Sequence, residues 1–439
     1  MPIPDYLKLN IPDTDAPRIV IVGGGFAGLS LAKSLRKTRA QVVLLDRNNF
    51  HTFQPLLYQV ATAGLEPDSI GAPIRDFFKS QDNFYFRMVR VTGFDLENNL
   101  IRTRIGDLSY DYLAIANGAI TNYFGKENFR DRVLPLKRIV HALDLRSQIL
   151  QNFEKAELTD DPMGIERLMN VVVVGGGPTG VEVAGALAEL RSHILPKDHP
   201  RLNLAKMKIY LIQGADQLLV GMSQKSAKNA QDYLKELDVD IRLNTFVEDY
   251  EANQIKIGDE IIETETVIWA AGVKGRILEG IPDSATERDR ILVRPDNSLL
   301  NYPNAYAIGD VAMLGTEEYP NGHPMVAQVA IQQGAQLARN FRRIFDGEPT
   351  KPFTYTDKGS MATIGRNKAV VDLPSGLHFR GLFAWLIWMF IHILFLSGFR
   401  NKIVTFMNWS WSYLTYDRGT RLIVRTFSLK TARSKFSGN

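Results

Sequence analysis

A strand, a glycine-rich turn, a helix and a second strand occur in succession twice in this chain, and that repeat constrains its fold more than any other feature. Arg18-Ile19-Val20-Ile21-Val22 is short, β-branched and continuously apolar, as a strand covered on both faces must be. It runs straight into Gly23-Gly24-Gly25-Phe26-Ala27-Gly28, then a helical stretch from Leu29 to Arg36, then a second apolar strand from Gln41 to Leu45 that ends at Asp46. The pattern returns as Val171-Val172-Val173-Val174, Gly175-Gly176-Gly177-Pro178-Thr179-Gly180, a helical run from Val181 to Leu190 and a strand from Lys208 to Ile212. Two complete βαβ units predict an α/β protein with two Rossmann-like dinucleotide-binding domains. Residues 154–169 are polar and interrupted by Pro162 and Gly164, which suits a linker.

Each glycine has a separate task. The first makes the tight turn, the second lets backbone approach a pyrophosphate, and the third lets helix pack on strand. The helix N-terminus then offers amide donors and partial positive charge to the phosphates. These tasks fall to Gly23, Gly25 and Gly28 in the first copy and to Gly175, Gly177 and Gly180 in the second. Asp46 ends the second strand of the first copy, where a carboxylate accepts hydrogen bonds from ribose hydroxyls. Gln213 stands at the matching place in the second copy. Losing that charge either removes the repulsion of a 2′-phosphate and admits NADPH beside NADH, or leaves a glutamine that binds the same ribose with NADH selectivity intact.

Further along, Asn304 to Ile308 reads as a strand delivering Gly309-Asp310, a pairing that in two-dinucleotide flavoproteins brings an aspartate to the FAD ribityl chain. Ala116-Asn117-Gly118-Ala119 and Trp269-Ala270-Ala271-Gly272 resemble the crossover strands that return the chain between such domains. As ordinary strand ends they would be turns and nothing more. The expected boundaries are 17–150 with 275–345 for FAD, 151–274 for NAD(P)H and 346–439 for a C-terminal membrane-attachment region.

The chain of 439 residues has a formal charge of only +4, with basic residues scattered, and this argues against nucleic acid as a partner. The exception is the C-terminal end. From Leu373 onward Arg380, Arg400, Lys402, Arg418, Arg421, Arg425, Lys430, Arg433 and Lys435 face one acid, Asp417, which suits an anionic lipid surface. The run from Gly381 to Phe399 is almost wholly apolar, and as one helix it would be roughly 28 Å long against a hydrocarbon core of ~30 Å. Trp409, Trp411, Tyr413 and Tyr416 follow, side chains that favour the headgroup boundary. A spanning helix, an interfacial hairpin and a buried core or dimerisation helix all remain open; the hairpin is the expectation. The N-terminus lacks the basic start and apolar run of a secretory signal, so the expected place is the cytoplasmic face of a bacterial inner membrane.

With these motifs in place the sequence resembles the type II NADH:quinone oxidoreductases, single-subunit respiratory dehydrogenases that pump no protons. The resemblance spans about Ile19 to Leu422 and is most specific in Gly177-Pro178-Thr179-Gly180-Val181-Glu182, Phe53-Gln54-Pro55-Leu56-Leu57-Tyr58 and Ala327-Gln328-Val329-Ala330-Ile331-Gln332. It implies FAD and NADH as cofactor and co-substrate, membrane quinone as acceptor, and a homodimer. It adds Phe26, Ala27, Arg47, Gln54, Gly118 and Ala327 to the FAD-binding set, and Pro178, Thr179, Ala271 and Gly272 to the nicotinamide set. Glu182 is expected to position nicotinamide or support proton and charge transfer with quinone. Without the family it is an acid well placed near a helix N-terminus. Gln328 and Gln332, four residues apart on one helical face, would sit beside the flavin with Gln328 bordering the quinone; Lys368 would line the quinone entrance. Read alone, the glutamines are a solvated helix face and the lysine a surface residue.

The chain contains no cysteine. Disulfide reductases, sulfide:quinone oxidoreductases and NADH peroxidases share paired nucleotide domains but need redox-active sulfur, so their chemistry is excluded. A reductase for a soluble carrier such as ferredoxin remains the alternative enzyme, though it would need no lipid-seeking tail. A redox-sensing flavoprotein acting through protein contacts is the non-catalytic one.

Overall fold

The computed structural model describes residues 6–415, 419–423 and 426–427. The chain divides into two compact units, one formed by Met1–His51, Ala72–Ile120 and Val273–Asp357, the other by Thr52–Gly71, Thr121–Gly272 and Lys358–Asn439. Residues 52–71 therefore pack with the unit that carries the second glycine turn.

The first unit is built on a five-stranded parallel sheet. Arg18–Val22 is central, flanked by Gln41–Asp46 and then Phe84–Met88 on one side and by Tyr112–Ile115 and then Ala305–Ala307 on the other. Its central strand is buried from Ile19 to Val22, which explains the unbroken apolar run. The second unit repeats the arrangement around Val171–Val174, with Ile209–Ile212 and Asp240–Arg242 on one side and Thr266–Trp269 and Leu134–Pro135 on the other. Helix Phe26–Ser34 follows the first turn and helix Pro178–His193 the second. Both Rossmann-like sheets expected from the repeat are present.

The second unit also carries an antiparallel sheet, Ser360–Gly365, Lys368–Asp372 and His378–Arg380, on which helix Gly381–Phe395 packs through Ala384. The apolar run does not form one helix. It stops at Phe395, turns at Gly398 with φ +87°, and a second helix runs Phe399–Thr415. No helix among the described residues is long and apolar enough to cross a membrane. Arg418, Arg425, Lys430, Arg433, Lys435, Asp417 and Tyr416 lie outside the described residues.

These two helices are turned inside out relative to a helix on a watery surface. The first buries His392, the second Asn401 and Thr405, while Leu382, Phe383, Leu386, Phe390, Leu394, Phe399, Phe406 and Trp411 stand exposed. Two of these buried polar groups have partners: Asn401 Nδ2 donates to Gly71 O at 3.0 Å, and His392 Nδ1 lies 2.7 Å from Trp388 O, while Thr405 Oγ1 is buried with no hydrogen-bond partner among the described residues. Of the aromatics expected at a headgroup boundary, Trp411 is exposed, while Trp409 and Tyr413 are half-buried, Trp409 donating to Gln59 Oε1 at 2.6 Å; in the first helix Trp388 is buried and Trp385 half-buried.

Burial lowers the pKa of His392, and of His51 in the first unit, to about 4. An unfolded histidine near 6.5 takes up protons that these folded rings refuse, so their contribution is complete above pH 6.5 and is lost as pH falls toward 4. Each is worth about 3 kcal/mol across that window. We expect the thermal midpoint to fall between pH 6.5 and 4, and the fall to be shallower in His392→Asn, which keeps a donor for Trp388 O; scanning calorimetry across that range checks it.

Candidate active site

The two glycine turns are built alike. Gly23 has φ +113° and Gly175 φ +111°, conformations that side chains rarely adopt. A Cβ on Gly23 would stand 2.9 Å from Asn117 Cα, and one on Gly175 would stand 2.6 Å from Ala271 Cα. Each turn is therefore pressed against the end of a returning strand, which brings Asn117 and Gly118 to the first loop and Ala271 and Gly272 to the second. At Gly25 and Gly177 the opposite holds, because a Cβ there would meet nothing within 4 Å. That open space lies over the first amides of helices Phe26–Ser34 and Pro178–His193.

Asp46 Oδ2 accepts the Gly24 N–H at 2.7 Å and its Oδ1 accepts the Asn48 N–H at 2.7 Å. Burial raises its pKa, outweighing those amides and the attraction of Arg47 and Arg276. Gln213 occupies the same position in the second unit, its Oε1 accepting the Gly176 N–H at 2.9 Å and its Nε2 donating to Gln217 O at 3.2 Å. The glutamine thus replaces the aspartate as holder of the loop but brings no charge. No lysine or arginine occurs in residues 214–222.

Other predicted residues of the first unit lie near its loop. Gly309 has φ +75°, and a Cβ there would lie 3.1 Å from the Cβ of Ala27, so Gly309-Asp310 sits beside the loop. Phe26 and Ala27 open the helix, and Ala327 is the first residue of helix Ala327–Phe345. Gln54 begins a short 3-10 turn in the second unit. Gln332 spends its amide on the chain: Oε1 accepts from Thr356 N at 3.0 Å and Nε2 donates to Thr356 O at 2.9 Å. Gln328 Oε1 accepts from Tyr355 OH at 3.5 Å. Lys368 is ion-paired with Glu236 at 2.8 Å.

Three residues here were not foreseen. Gln333, buried beside Gln332, accepts the Gly309 N–H through Oε1 at 2.6 Å and so fixes the Gly-Asp turn. Arg276 donates its backbone N–H to Gly118 O at 3.0 Å. Burial and the like charges of Arg47 and Arg90 lower its pKa, with Asp46 pulling the other way. Such crowding of arginines suits an anionic ligand. His51 lies 3.1 Å through Nδ1 from Gly24 O. No spacing in the sequence ties Arg276 or Arg90 to the first loop.

Glu182, one turn into helix Pro178–His193, is buried, and burial pushes its carboxyl well above the ordinary range; the Thr363 backbone and the Trp388 indole act in the opposite direction. Trp388 Nε1 lies near the carboxyl without the geometry of a hydrogen bond. The environment favours the neutral acid. Helix and strand meet closely here, since a Cβ on Gly185 would overlap the Ile364 carbonyl oxygen.

Residues 17–334 match the pyridine nucleotide-disulphide oxidoreductase family, and the chain belongs to that class of oxidoreductases. Residues 358–416 match the NDH2 C-terminal domain. The chain is 36% identical over 419 residues to the type II NADH:quinone oxidoreductase Ndh of Mycobacterium tuberculosis (strain ATCC 25618 / H37Rv), covering 92% of this chain and 89% of that protein. It is 36% identical over 425 residues to NdhA of the same strain, with the same coverage. The structure of NDH2 from Plasmodium falciparum in complex with NADH has the same fold, with a TM-score of 0.84 at 22% identity over 93% of this chain and 100% of that one. The sulfide:quinone oxidoreductase from Aquifex aeolicus follows at 0.70 and 19%, over 88% and 92%. The chain is a member of the type II NADH:quinone oxidoreductase family.

Overpacking a close helix–strand contact costs about 1–3 kcal/mol or more. Gly185→Ala is expected to lower the unfolding free energy by that much, read as a lower urea midpoint at an unchanged m-value; an unchanged midpoint would show that the strand yields freely.

Proposed function

We propose that this protein takes hydride from NADH onto FAD and passes two electrons to a membrane quinone. The observation that carries this reading is the pair of matching glycine turns, each with open space at its second glycine and helix amides behind it. Bound FAD would supply the redox chemistry, accepting a hydride and releasing its electrons to quinone.

The chain's own part is binding and orientation. In the first unit the Gly25 turn and the Phe26–Ser34 amides would hold pyrophosphate, with Arg276 and Arg47 supplying positive charge. Asp46 would accept from the adenosine ribose, and Gly309-Asp310, held by Gln333, would meet the ribityl chain. Phe26, Ala27, Gly118 and Ala327 would complete the wall, and Gln54 is assigned to FAD on family likeness alone. In the second unit Gly175, Gly177, Pro178, Thr179 and Gly180 would hold the nicotinamide dinucleotide's phosphates, and Ala271 and Gly272 would lie along it. Gln213 neither repels a 2′-phosphate nor is joined in the following loop by a cation to bind one, so NADH is the preferred donor and NADPH a poorer one. Gln328 remains the group assigned to quinone, Gln332 acts through Thr356 as a positioning residue, and Lys368 reaches quinone only if Glu236 releases it. With no cysteine in the chain, there is no sulfur relay to route electrons through.

The purified protein is expected to be yellow, to bleach with NADH and to recover colour with a short-chain quinone. Gly25→Val is expected to lose FAD. Gly177→Val should keep FAD and raise KM for NADH at least about tenfold, a loss of about 1.4 kcal/mol of binding. Steady-state kinetics with NADH and NADPH test this, and a colourless preparation that retains no flavin on reconstitution ends the reading.

The inside-out helices Gly381–Phe395 and Phe399–Thr415 support attachment to one leaflet, with the exposed apolar face in lipid and the nicotinamide side on the cytoplasmic face. Burying one Leu or Phe is worth about 1.5–3 kcal/mol. The double variant Leu386→Glu/Phe390→Glu should therefore bind vesicles at least about tenfold more weakly. Sedimentation with vesicles measures this, and undiminished binding would move the lipid contact elsewhere.

A further inference from the structure

Phe246 is held out of the core beside the second glycine turn. Its ring is 73% exposed, while the next residue, Val247, is buried in one core cluster with Val174, Ile212 and Trp269. The loop that carries it is clasped to the end of strand Ile209–Ile212 by backbone bonds on both sides of Gln213. The Gln213 N–H donates to Arg242 O at 2.8 Å, the Thr245 N–H to Gln213 O at 3.0 Å and the Asn244 N–H to Ala215 O at 3.0 Å. Asn244 turns the chain there with φ +51°, a conformation that asparagine tolerates better than most residues. The phenyl ring is therefore displayed by a fixed backbone.

That ring rests on Gly214. A Cβ there would lie 2.5 Å from Phe246 Cε1 and 2.8 Å from its Cζ, so the missing side chain is what lets the ring lie against the main chain. Gln213, one residue earlier, gives its side chain to the Gly176 N–H at 2.9 Å. The order outward from the turn is Gly177 with its open space, Gly176, Gln213 and then Gly214 with the ring on it. All of these residues belong to the second unit.

Apolar side chains scattered singly over a surface need no explanation. Phe246 differs because of where it stands. The strand-end residue of a Rossmann unit meets the adenosine ribose, and the base is bonded to that ribose on the side away from the pyrophosphate. Gly214 follows Gln213 at the ~3.8 Å spacing of consecutive Cα atoms, which brings the ring within reach of the base. Stacking needs no charge, because every base has a π face, and it is worth roughly five- to a hundredfold in affinity. We propose that Phe246 is an adenine platform: the base of NADH stacks on its ring while Gln213 meets the ribose and the Gly177 turn holds the phosphates. Because the ring is already in place, little ordering cost falls on the ligand. The proposal rests on the NADH reading above and adds to it a residue that recognises the adenosine end by its base.

The test uses full-length protein loaded with FAD and the variants Phe246→Ala and Phe246→Tyr. Residue 246 is exposed, so losing its ring leaves no cavity in the core. Calorimetric titration with ADP-ribose, which carries the adenosine but no nicotinamide, should give a Kd about tenfold higher for Phe246→Ala. Phe246→Tyr, which keeps a ring, should stay close to the parent. In turnover with a short-chain quinone the Phe246→Ala loss should fall on KM for NADH and not on kcat. It should vanish with reduced nicotinamide mononucleotide, a donor that has no adenine. An unchanged Kd in Phe246→Ala overturns the platform, and so does a tyrosine variant that loses as much as the alanine one. An equal loss with the mononucleotide also overturns it, since that marks damage to the whole loop. Parent affinity with a smaller mass in light scattering would give the ring to a contact between copies instead. A parent protein that holds flavin but is not reduced by NADH would overturn the functional reading itself.

Discussion

The contact on which both nucleotide folds depend is backbone against backbone, where the first glycine of each turn is pressed onto the end of a returning strand. Gly23 against Asn117 and Gly175 against Ala271 leave no room for a side chain, and the φ angles near +110° would resist one in any case. Because the turn is pinned there, the next amide is aimed at the strand-end acceptor, Asp46 in one unit and Gln213 in the other. The third residue of the turn is then left facing open space. The same close approach fixes the parallel register of the central strands, so fold and ligand cradle follow from one steric condition.

Helix Pro178–His193 shows how a single element can serve two chemistries. Its first turn is shaped by the glycine loop, where unpaired amides favour anions. Its middle is pulled against Ile364 through Gly185, and that closeness keeps Glu182 out of water and raises its pKa. One side of the helix, through Glu182, Ala186, Glu189 and His193, lines a cavity of about 110 Å³, and Glu189 there accepts the Arg366 backbone N–H. A bulkier residue at 185 would widen the first contact and rehydrate the acid, so packing and protonation state are coupled through one missing side chain.

What was legible in the sequence follows from the same physics. Strands such as Val171–Val174 announced themselves because a parallel strand covered on both faces must be apolar at every position, and their glycine loops were readable because the turn admits little else. Contacts set by side-chain direction were not legible. Gln332 and Gln333 are adjacent and chemically identical, yet one ties down Thr356 and the other holds Gly309, a division that depends on a rotation of about 100° around the helix. Arg276 and residues 52–71 reach their places through long-range topology that no local spacing records. The end of the first C-terminal helix was not legible either, because Leu396 is as apolar as its neighbours yet leaves the helix with ψ 138°, two residues before Gly398 turns the chain at φ +87°.

The tail also separates two ideas that composition merges. Its aromatic richness suggested a belt at the headgroups, and Trp411 is exposed, but Trp388 and Trp409 are turned inward, their rings 5.3 Å apart and tilted by 35° with Trp409 bonded to Gln59, and the exposed apolar surface is made chiefly of Leu, Phe, Ile and Met. The helices are fastened to their unit by the bond from Asn401 to Gly71 O and by packing on Ala369 and Val371, while Lys402 Nζ ties the second helix to the first through Leu394 O at 2.7 Å. A hydrogen bond in a protected interior holds its strength whether the outer face meets lipid or water. Attachment to the protein and affinity for the bilayer therefore reside in opposite faces of the same two helices, and either can be altered without the other.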